Sequence, residues 1–247
     1  MSHPWQETKK YKQALDHSWI EIRQTDKGRG IFSLVDHKKG DLVAAFVGEP
    51  ITIPVFATEE EADVFSHSKD AEYTMSYKTT PDGFLAIRPD PDKIGGHIAN
   101  HSCRPNTTIT EKYRDADALM MRAVRPIRAG DEITIDYHWH RRVPIPCLCG
   151  SDPCTGNIGL TYTIVHAPSE DGSIQSYFKF DRSQVIKLLQ VAEAHKHLDA
   201  LRVLKVRGNW IPAERLREYF EQAFGRHFQS TWLTQNFHKL ASATYLG

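Results

Sequence analysis

Apolar and polar residues alternate in short runs through the first third of the chain. Trp19-Ile20-Glu21-Ile22-Arg23 has the period of two expected of a half-buried strand. Asp26-Lys27-Gly28-Arg29-Gly30 reads as a turn, Ile31 to Leu34 as a second apolar run, and His37 to Asp41 as another turn. Leu42 to Val47 is continuously apolar and short, as a strand covered on both faces would be. Thr58-Glu59-Glu60-Glu61 has a hydroxyl N-cap with Glu three residues on, which predicts a short helix ending near Phe65. A strand is expected near Tyr73-Thr74-Met75-Ser76-Tyr77. The Pro81-Asp82-Gly83 turn then leads back into Phe84-Leu85-Ala86-Ile87 as a hairpin. Short strands at this spacing predict a β-rich domain, with residues 54–92 as an insert that shapes one wall of a groove.

After Gly159 the pattern reads as helical. Val185, Leu188, Leu189 and Ala192 share one helix face. Pro212 suits a helix first turn, followed by Leu216, Tyr219, Phe220, Ala223 and Phe224, with Gly225 as the stop. Ser230 or Thr231 caps a third helix with Leu233, Phe237 and Leu240 inward. These aromatic stripes read as core. The expected organisation is a polar flank over 1–17, a β-rich domain over 18–140, a cysteine segment over 141–160 and a helical C-terminal appendage over 165–247.

A chain of 247 residues, 40% hydrophobic and 25% charged, can bury a core and form one or two domains. It contains 31 basic and 31 acidic residues, so it lacks the basic footprint of a nucleic-acid binder, and no direct nucleic-acid binding is expected. No apolar run of membrane-spanning length occurs, and Met1 to Gln13 lacks the apolar stretch of a secretory signal. No membrane partner is therefore expected.

Cysteine placement says more than composition. Cys147, Cys149 and Cys154 form a C-x-C-x4-C cluster. Cys147 and Cys149 are too close in sequence to act as separate disulfide staples and well spaced to share a metal. Four thiolates suit tetrahedral Zn²⁺, and Cys103 supplies a fourth. Local spacing does not dictate that closure, because Cys103 lies far upstream. Zinc thiolates imply a reducing, intracellular compartment.

Two further runs flank these cysteines: Asn100-His101-Ser102-Cys103-Arg104-Pro105-Asn106 and Gly130-Asp131-Glu132-Ile133-Thr134-Ile135-Asp136-Tyr137. Upstream lie Lys27-Gly28-Arg29-Gly30-Ile31-Phe32 and Phe46-Val47-Gly48-Glu49. Each run alone is common. In this order, ending in the cysteine cluster, they resemble the SET-domain protein-lysine methyltransferases, in the branch with a zinc-binding post-SET segment. The resemblance covers roughly residues 18 to 160.

The resemblance implies an α+β fold of several small sheets, in which the Asn100–Cys103 segment threads beneath the loop around Gly130–Tyr137 as a pseudoknot. It implies S-adenosylmethionine (SAM) as methyl donor and one structural zinc per chain on Cys103, Cys147, Cys149 and Cys154. Cofactor contacts carry over to Lys27, Gly28, Arg29 and Gly30. Asn100 would accept from the methionine ammonium, His101 would read the adenine edge, and Leu148 would pack on adenine. Tyr137 is the expected catalytic residue and Tyr73 the second tyrosine of the lysine channel. Ile135 falls where the family often has Phe or Tyr and where product multiplicity is influenced. Glu132 and Asp136 look like general bases but are read as holding the turn, and Asn106 as structural.

Two departures stand out. Phe46 replaces the usual Tyr, and His97-Ile98-Ala99 replaces Arg-Phe-Ile. Neither removes Tyr137, Asn100 or His101, so an active enzyme is expected. Its favoured substrate is a lysine in a histone or histone-like basic tail. The alternatives are a non-histone protein substrate and a catalytically silent scaffold. The expected location is the nucleus in a eukaryote, the bacterial cytoplasm, or a host cell reached without a classical signal.

Overall fold

The computed structural model describes residues 9, 12–54, 64–65, 68, 73–80, 83–110, 118–137, 140–141, 145–158, 160–168, 174–180, 187, 190–191 and 194–195. The chain divides into two units. The first comprises residues 1–100 and 105–135, the second residues 101–104 and 136–247. The second unit thus takes a four-residue segment out of the middle of the first unit's sequence.

The first unit contains three small sheets. Strands β1 (Ile20–Thr25) and β2 (Gly28–Ser33) form a tight antiparallel hairpin, registered from Ile20 opposite Ser33 to Thr25 opposite Gly28. The turn is therefore narrower than its glycines suggest: Gly28, Arg29 and Gly30 already belong to β2. Thr25 closes the turn. Its hydroxyl donates to the Gly28 carbonyl at 2.8 Å and accepts from the Lys27 amide at 3.1 Å.

The buried run expected at Leu42–Val47 is strand β3. Next come β4 (Glu49–Pro54), β5 (Met75–Thr80) and β6 (Gly83–Arg88), a three-stranded sheet in the order β4-β6-β5. The hairpin expected around Pro81–Gly83 is thus present, and β4, in which Ile51-Thr52-Ile53 alternates, pairs along β6. Of the helix expected from Thr58, only Val64 and Phe65 lie among the described residues, and both are helical. Gly48 separates β3 from β4. A Cβ there would come within 2.2 Å of the Arg88 carbonyl oxygen, so close backbone approach requires glycine in the Phe46-Val47-Gly48-Glu49 run.

Strands β7 (Asn100–His101), β8 (Thr107–Thr110), β9 (Ala118–Ala123) and β10 (Glu132–Ile135) complete the other two sheets, ordered β1-β2-β10-β7 and β3-β9-β8. Val43, Met120, Met121, Ile31, Ile127 and Ile133 are fully buried. Each such side chain contributes about 1.5–3 kcal/mol relative to exposure. The flank is not merely a polar tail. Ala14 packs with Leu42, Ala45, Ala118 and Met120, and His17 Nε2 donates to the Ala45 carbonyl at 3.0 Å.

In the second unit the helical reading of 165–180 is corrected. Strand β11 (His140–Arg141) pairs in parallel with β12 (Leu160–Pro168), which pairs antiparallel with β13 (Ile174–Phe180). Thr161, Tyr162, Thr163, Ile164 and Val165 are β-branched or aromatic, and such side chains favour the pleated surface over the crowded turn of a helix. Residues 187, 190, 191 and 194 are helical. The helices expected from Pro212 onward lie outside the described residues. Among the described residues no helix is long and apolar enough to cross a membrane.

Candidate functional site

In the first unit, β2 and β10 bring together the residues around Asn100. The Asn100 amide nitrogen donates to the Arg29 carbonyl at 3.2 Å and to Glu132 Oε1 at 2.8 Å. The other carboxylate oxygen of Glu132 accepts from Lys27 Nζ at 2.9 Å. A Cβ on Gly30 would lie 2.8 Å from the Asn100 nitrogen and 2.9 Å from Glu132 Oε1, so the absent side chain makes room for this pair. The Arg29 side chain is exposed and donates to the Pro91 carbonyl at 3.0 Å. Asn106 is buried and structural. Its amide donates to the Glu132 carbonyl at 2.7 Å and its oxygen accepts from the Thr134 amide at 2.8 Å, which docks it on β10.

Tyr73 is half-buried and lines an open depression of about 500 Å³ together with Val47, Glu49, Arg88 and Asp90. Its ring meets the His97 ring edge-on at 5.6 Å, and Phe46 meets His97 similarly at 6.0 Å. The two departures from the family pattern, Phe46 and His97, are thus in contact. Ile135 is buried at the end of β10.

In the second unit, the Tyr137 amide donates to His101 Nδ1 at 3.3 Å, and the two rings lie 5.4 Å apart at 59°. That bond leaves the ring proton on Nε2, which faces Cys103 Sγ at 3.5 Å. Asp136 Oδ1 lies 3.6 Å from His101 Nδ1. The four cysteine sulfurs lie within 4.8 Å of one another. Sulfur separations are 3.8 Å for Cys103–Cys147, 3.6 Å for Cys103–Cys154 and 3.6 Å for Cys149–Cys154. A disulfide would need about 2.05 Å. Four thiolates about 2.3 Å from one tetrahedral ion would be about 3.8 Å apart, so the cluster fits a metal.

Its surroundings fit as well. The amides of Thr155 and Gly156 donate to Cys103 and Cys154 at 3.5 and 3.3 Å. As bare thiols the group shares protons unevenly. The hydrogen bond with Cys147 holds the Cys103 proton on, whereas hydrogen bonds from Cys103 and Cys147 favour the thiolate of Cys149. Four thiolates together need a cation. Leu148, between two of the cysteines, is exposed.

The family model described as the SET domain matches residues 28–138. Residues 28–138 are a SET domain. The chain is similar to "Histone-lysine N-methyltransferase, H3 lysine-36 specific" of Chaetomium globosum, with 33% identity over 56% of this chain and 15% of that protein. It is also similar to an H3 lysine-9 specific enzyme of Fusarium mangiferae, with 31% identity over 55% of this chain and 47% of that protein. A third relative is an H3 lysine-4 specific enzyme of Neurospora crassa, 28% identical over 60% of this chain and 10% of that protein. The chain thus spans less than half the length of each of these relatives.

The SET domain opens at Gly28 and closes just past Tyr137, so its boundaries enclose the Gly-Arg-Gly, Asn-His and Asp-Tyr runs. The sequence did not reveal that Lys27, Arg29, Gly30, Asn100 and Glu132 form one network. Nor did it reveal that His97 packs between Phe46 and Tyr73. The displaced Arg-Phe-Ile word marked that position without saying what the histidine touches.

His97 carries a stability prediction. Its ring is buried, and neither nitrogen has a hydrogen-bond partner among the described residues. Burial, then the charges of Arg29 and His17, pull its pKa from 6.5 to about 4 against the opposing pull of Asp90. The unfolded chain therefore binds a proton that the folded SET domain refuses. Stability from this group is complete above about pH 6.5 and falls as the pH drops toward 4, by about 2–3 kcal/mol. Urea midpoints at pH 7.5 and 4.5 should fall less for His97→Phe than for wild type. Equal falls in both proteins would remove His97 as the cause.

Proposed function

We propose that this chain is a SAM-dependent protein-lysine N-methyltransferase, with a lysine in a histone or histone-like basic tail as substrate. The observation that carries the reading is the SET domain over residues 28–138, with Asn100, His101 and Tyr137 all present. The relatives named above, each described as a histone-lysine methyltransferase, support it. Those relatives differ in the H3 lysine named, so the target lysine is a matter for experiment. A chromatin substrate would place the enzyme in the nucleus.

When bound, SAM supplies a sulfonium methyl that passes to the lysine ε-amine as the carbon–sulfur bond breaks. Asn100 and His101 would hold the cofactor's amino-acid and adenine ends, and Lys27, Gly28, Arg29, Gly30 and Leu148 would supply the other contacts. Tyr137 and Tyr73 line the lysine channel. Free lysine has a pKa of about 10.4, so the channel must favour the neutral amine, and desolvation does so. The Tyr137 hydroxyl then orients amine and methyl for in-line attack. Zinc on Cys103, Cys147, Cys149 and Cys154 is structural and takes no part at the reacting centre. The SET domain extends over 18–140 with an insert over 54–92, followed by a post-SET segment over 141–160.

Incubation with SAM and core histones, read by peptide mass spectrometry, tests the activity. Methylated lysine on a histone tail is expected. Methylation of other lysate proteins alone would make the substrate non-histone. SAM binding with no transfer to any protein would leave a silent scaffold.

Ile135 sets the expected product. It offers neither a hydroxyl to tether a methylated amine nor a flat ring to crowd it, so the amine has room to turn and react again. Di- or trimethylation is expected, and Ile135→Tyr should shift the product toward monomethylation. A time course under excess SAM checks this. A wild type that stops at one methyl, or a tyrosine variant that goes further than wild type, would overturn it.

A further inference from the structure

We propose that Glu132 is a positioning residue. It fixes the Asn100 amide so that its oxygen alone faces the cofactor and accepts the α-ammonium of SAM. This rests on the reading that Asn100 meets that ammonium.

An asparagine side chain has a donating end and an accepting end, and rotating it by half a turn exchanges them. At Asn100 the exchange is blocked. Both amide hydrogens are used, one on the Arg29 carbonyl at 3.2 Å and one on Glu132 Oε1 at 2.8 Å. A carbonyl and a carboxylate only accept, so turning the amide oxygen toward them would set like against like. Asn100 is buried, and such a mismatch costs about 1–3 kcal/mol for each unsatisfied group. Its Oδ1 is left facing away from both partners, and among the described residues no donor reaches it. An acceptor that cannot flip selects a donor, and an ammonium fits where a carboxylate does not.

Glu132 can do this because it is itself held. Its second oxygen accepts from Lys27 Nζ at 2.9 Å, and its backbone is registered on β10 opposite Phe32 of β2. The ion pair and the Asn100 amide occupy both carboxylate oxygens and keep them aimed at these partners, which argues for a positioning role and against a general base. The Lys27-Gly28-Arg29-Gly30 run thereby acquires a second role. Lys27 clamps the carboxylate, the Arg29 carbonyl takes one amide hydrogen, and Gly30 leaves the space in which Asn100 and Glu132 meet.

The test uses two ligands, S-adenosylhomocysteine and its analogue lacking only the α-amino group, with affinities measured by calorimetry. Wild type should prefer the amine-bearing ligand. Glu132→Leu should reduce that preference about tenfold or more and leave the des-amino ligand's affinity nearly unchanged. Glu132→Gln has one carbonyl oxygen for two donors, Asn100 and Lys27, so an intermediate preference is expected. Combining Glu132→Gln with Lys27→Met frees that oxygen for Asn100 and should restore much of the preference, a rescue that a purely structural role would not give.

If wild type does not distinguish the ligands, the assignment of Asn100 fails and the inference with it. If wild type distinguishes them and Glu132→Leu does so equally well, the inference alone fails. Equal weakening of both ligands in every variant also overturns it, because one positioned acceptor cannot affect a ligand that lacks the matching donor.

Discussion

Tyr137→Phe is expected to lower kcat about a hundredfold or more, while SAM affinity and thermal stability stay close to wild type. On the proposed mechanism the size follows from losing one oriented hydroxyl at the reacting atoms, where a single group is worth about 10²–10³ in rate. The selectivity follows from how Tyr137 is held. Its amide donates to His101 Nδ1 and its ring lies against the imidazole, and phenylalanine keeps both interactions. The lost interaction is made in the transition state, so it should appear in kcat and not in the dissociation constant of SAM. Single-turnover rates beside calorimetric affinities would separate the two. Unchanged turnover would move catalysis to another residue. A matching loss of affinity and melting temperature would make Tyr137 a packing residue.

The second large effect concerns the cysteines. One zinc per chain is expected, and removing it should unfold residues 145–158. This segment has little else to hold it. Among its described residues the regular pairing is a single bridge between Pro146 and Asn157, and Ile145 through Ile158 are mostly half-buried or exposed. Structural zinc in small sites supplies about 10–16 kcal/mol of apparent binding energy, far more than such a bridge. Cys103→Ser should lose the ion and disturb His101 as well, because Cys103 Sγ lies 3.5 Å from His101 Nε2. Weaker SAM binding is therefore expected beside the structural loss. Elemental analysis, with hydrogen exchange before and after chelation, measures both. A folded, active preparation with far less than one equivalent of metal would sink the assignment.

The β-rich half was legible because its strands alternate or run apolar between turn residues, as at Trp19–Arg23 and Leu42–Val47. The cysteine cluster was legible because C-x-C spacing suits a metal better than two disulfides. Strand β12 is not legible in the sequence, because Ile164 and Val165 adjoin a stretch with real helical spacing. There the pairing of Tyr162 with Phe180 and of Val165 with Tyr177 decides the structure, and that is a relation between distant residues. Glu132 was read as a turn residue for a similar reason. It directly follows the Gly130–Asp131 turn in sequence, while its partners, Lys27 and Asn100, are 105 and 32 residues away.

The four clustered cysteines are divided in a way that bears on how such a protein can change over evolutionary time. A zinc finger encoded in one uninterrupted stretch can be copied, shuffled or deleted as a cassette. Here one ligand, Cys103, sits in a four-residue segment of the second unit, and residues 105–135 of the first unit separate it from the other three. No short stretch of the gene encodes the whole cluster, and insertion of 145–158 elsewhere would carry only three of its four cysteines. Gain of the cluster must therefore occur within a domain that already contains Cys103, and a truncation before Cys147 strands a buried thiol beside His101.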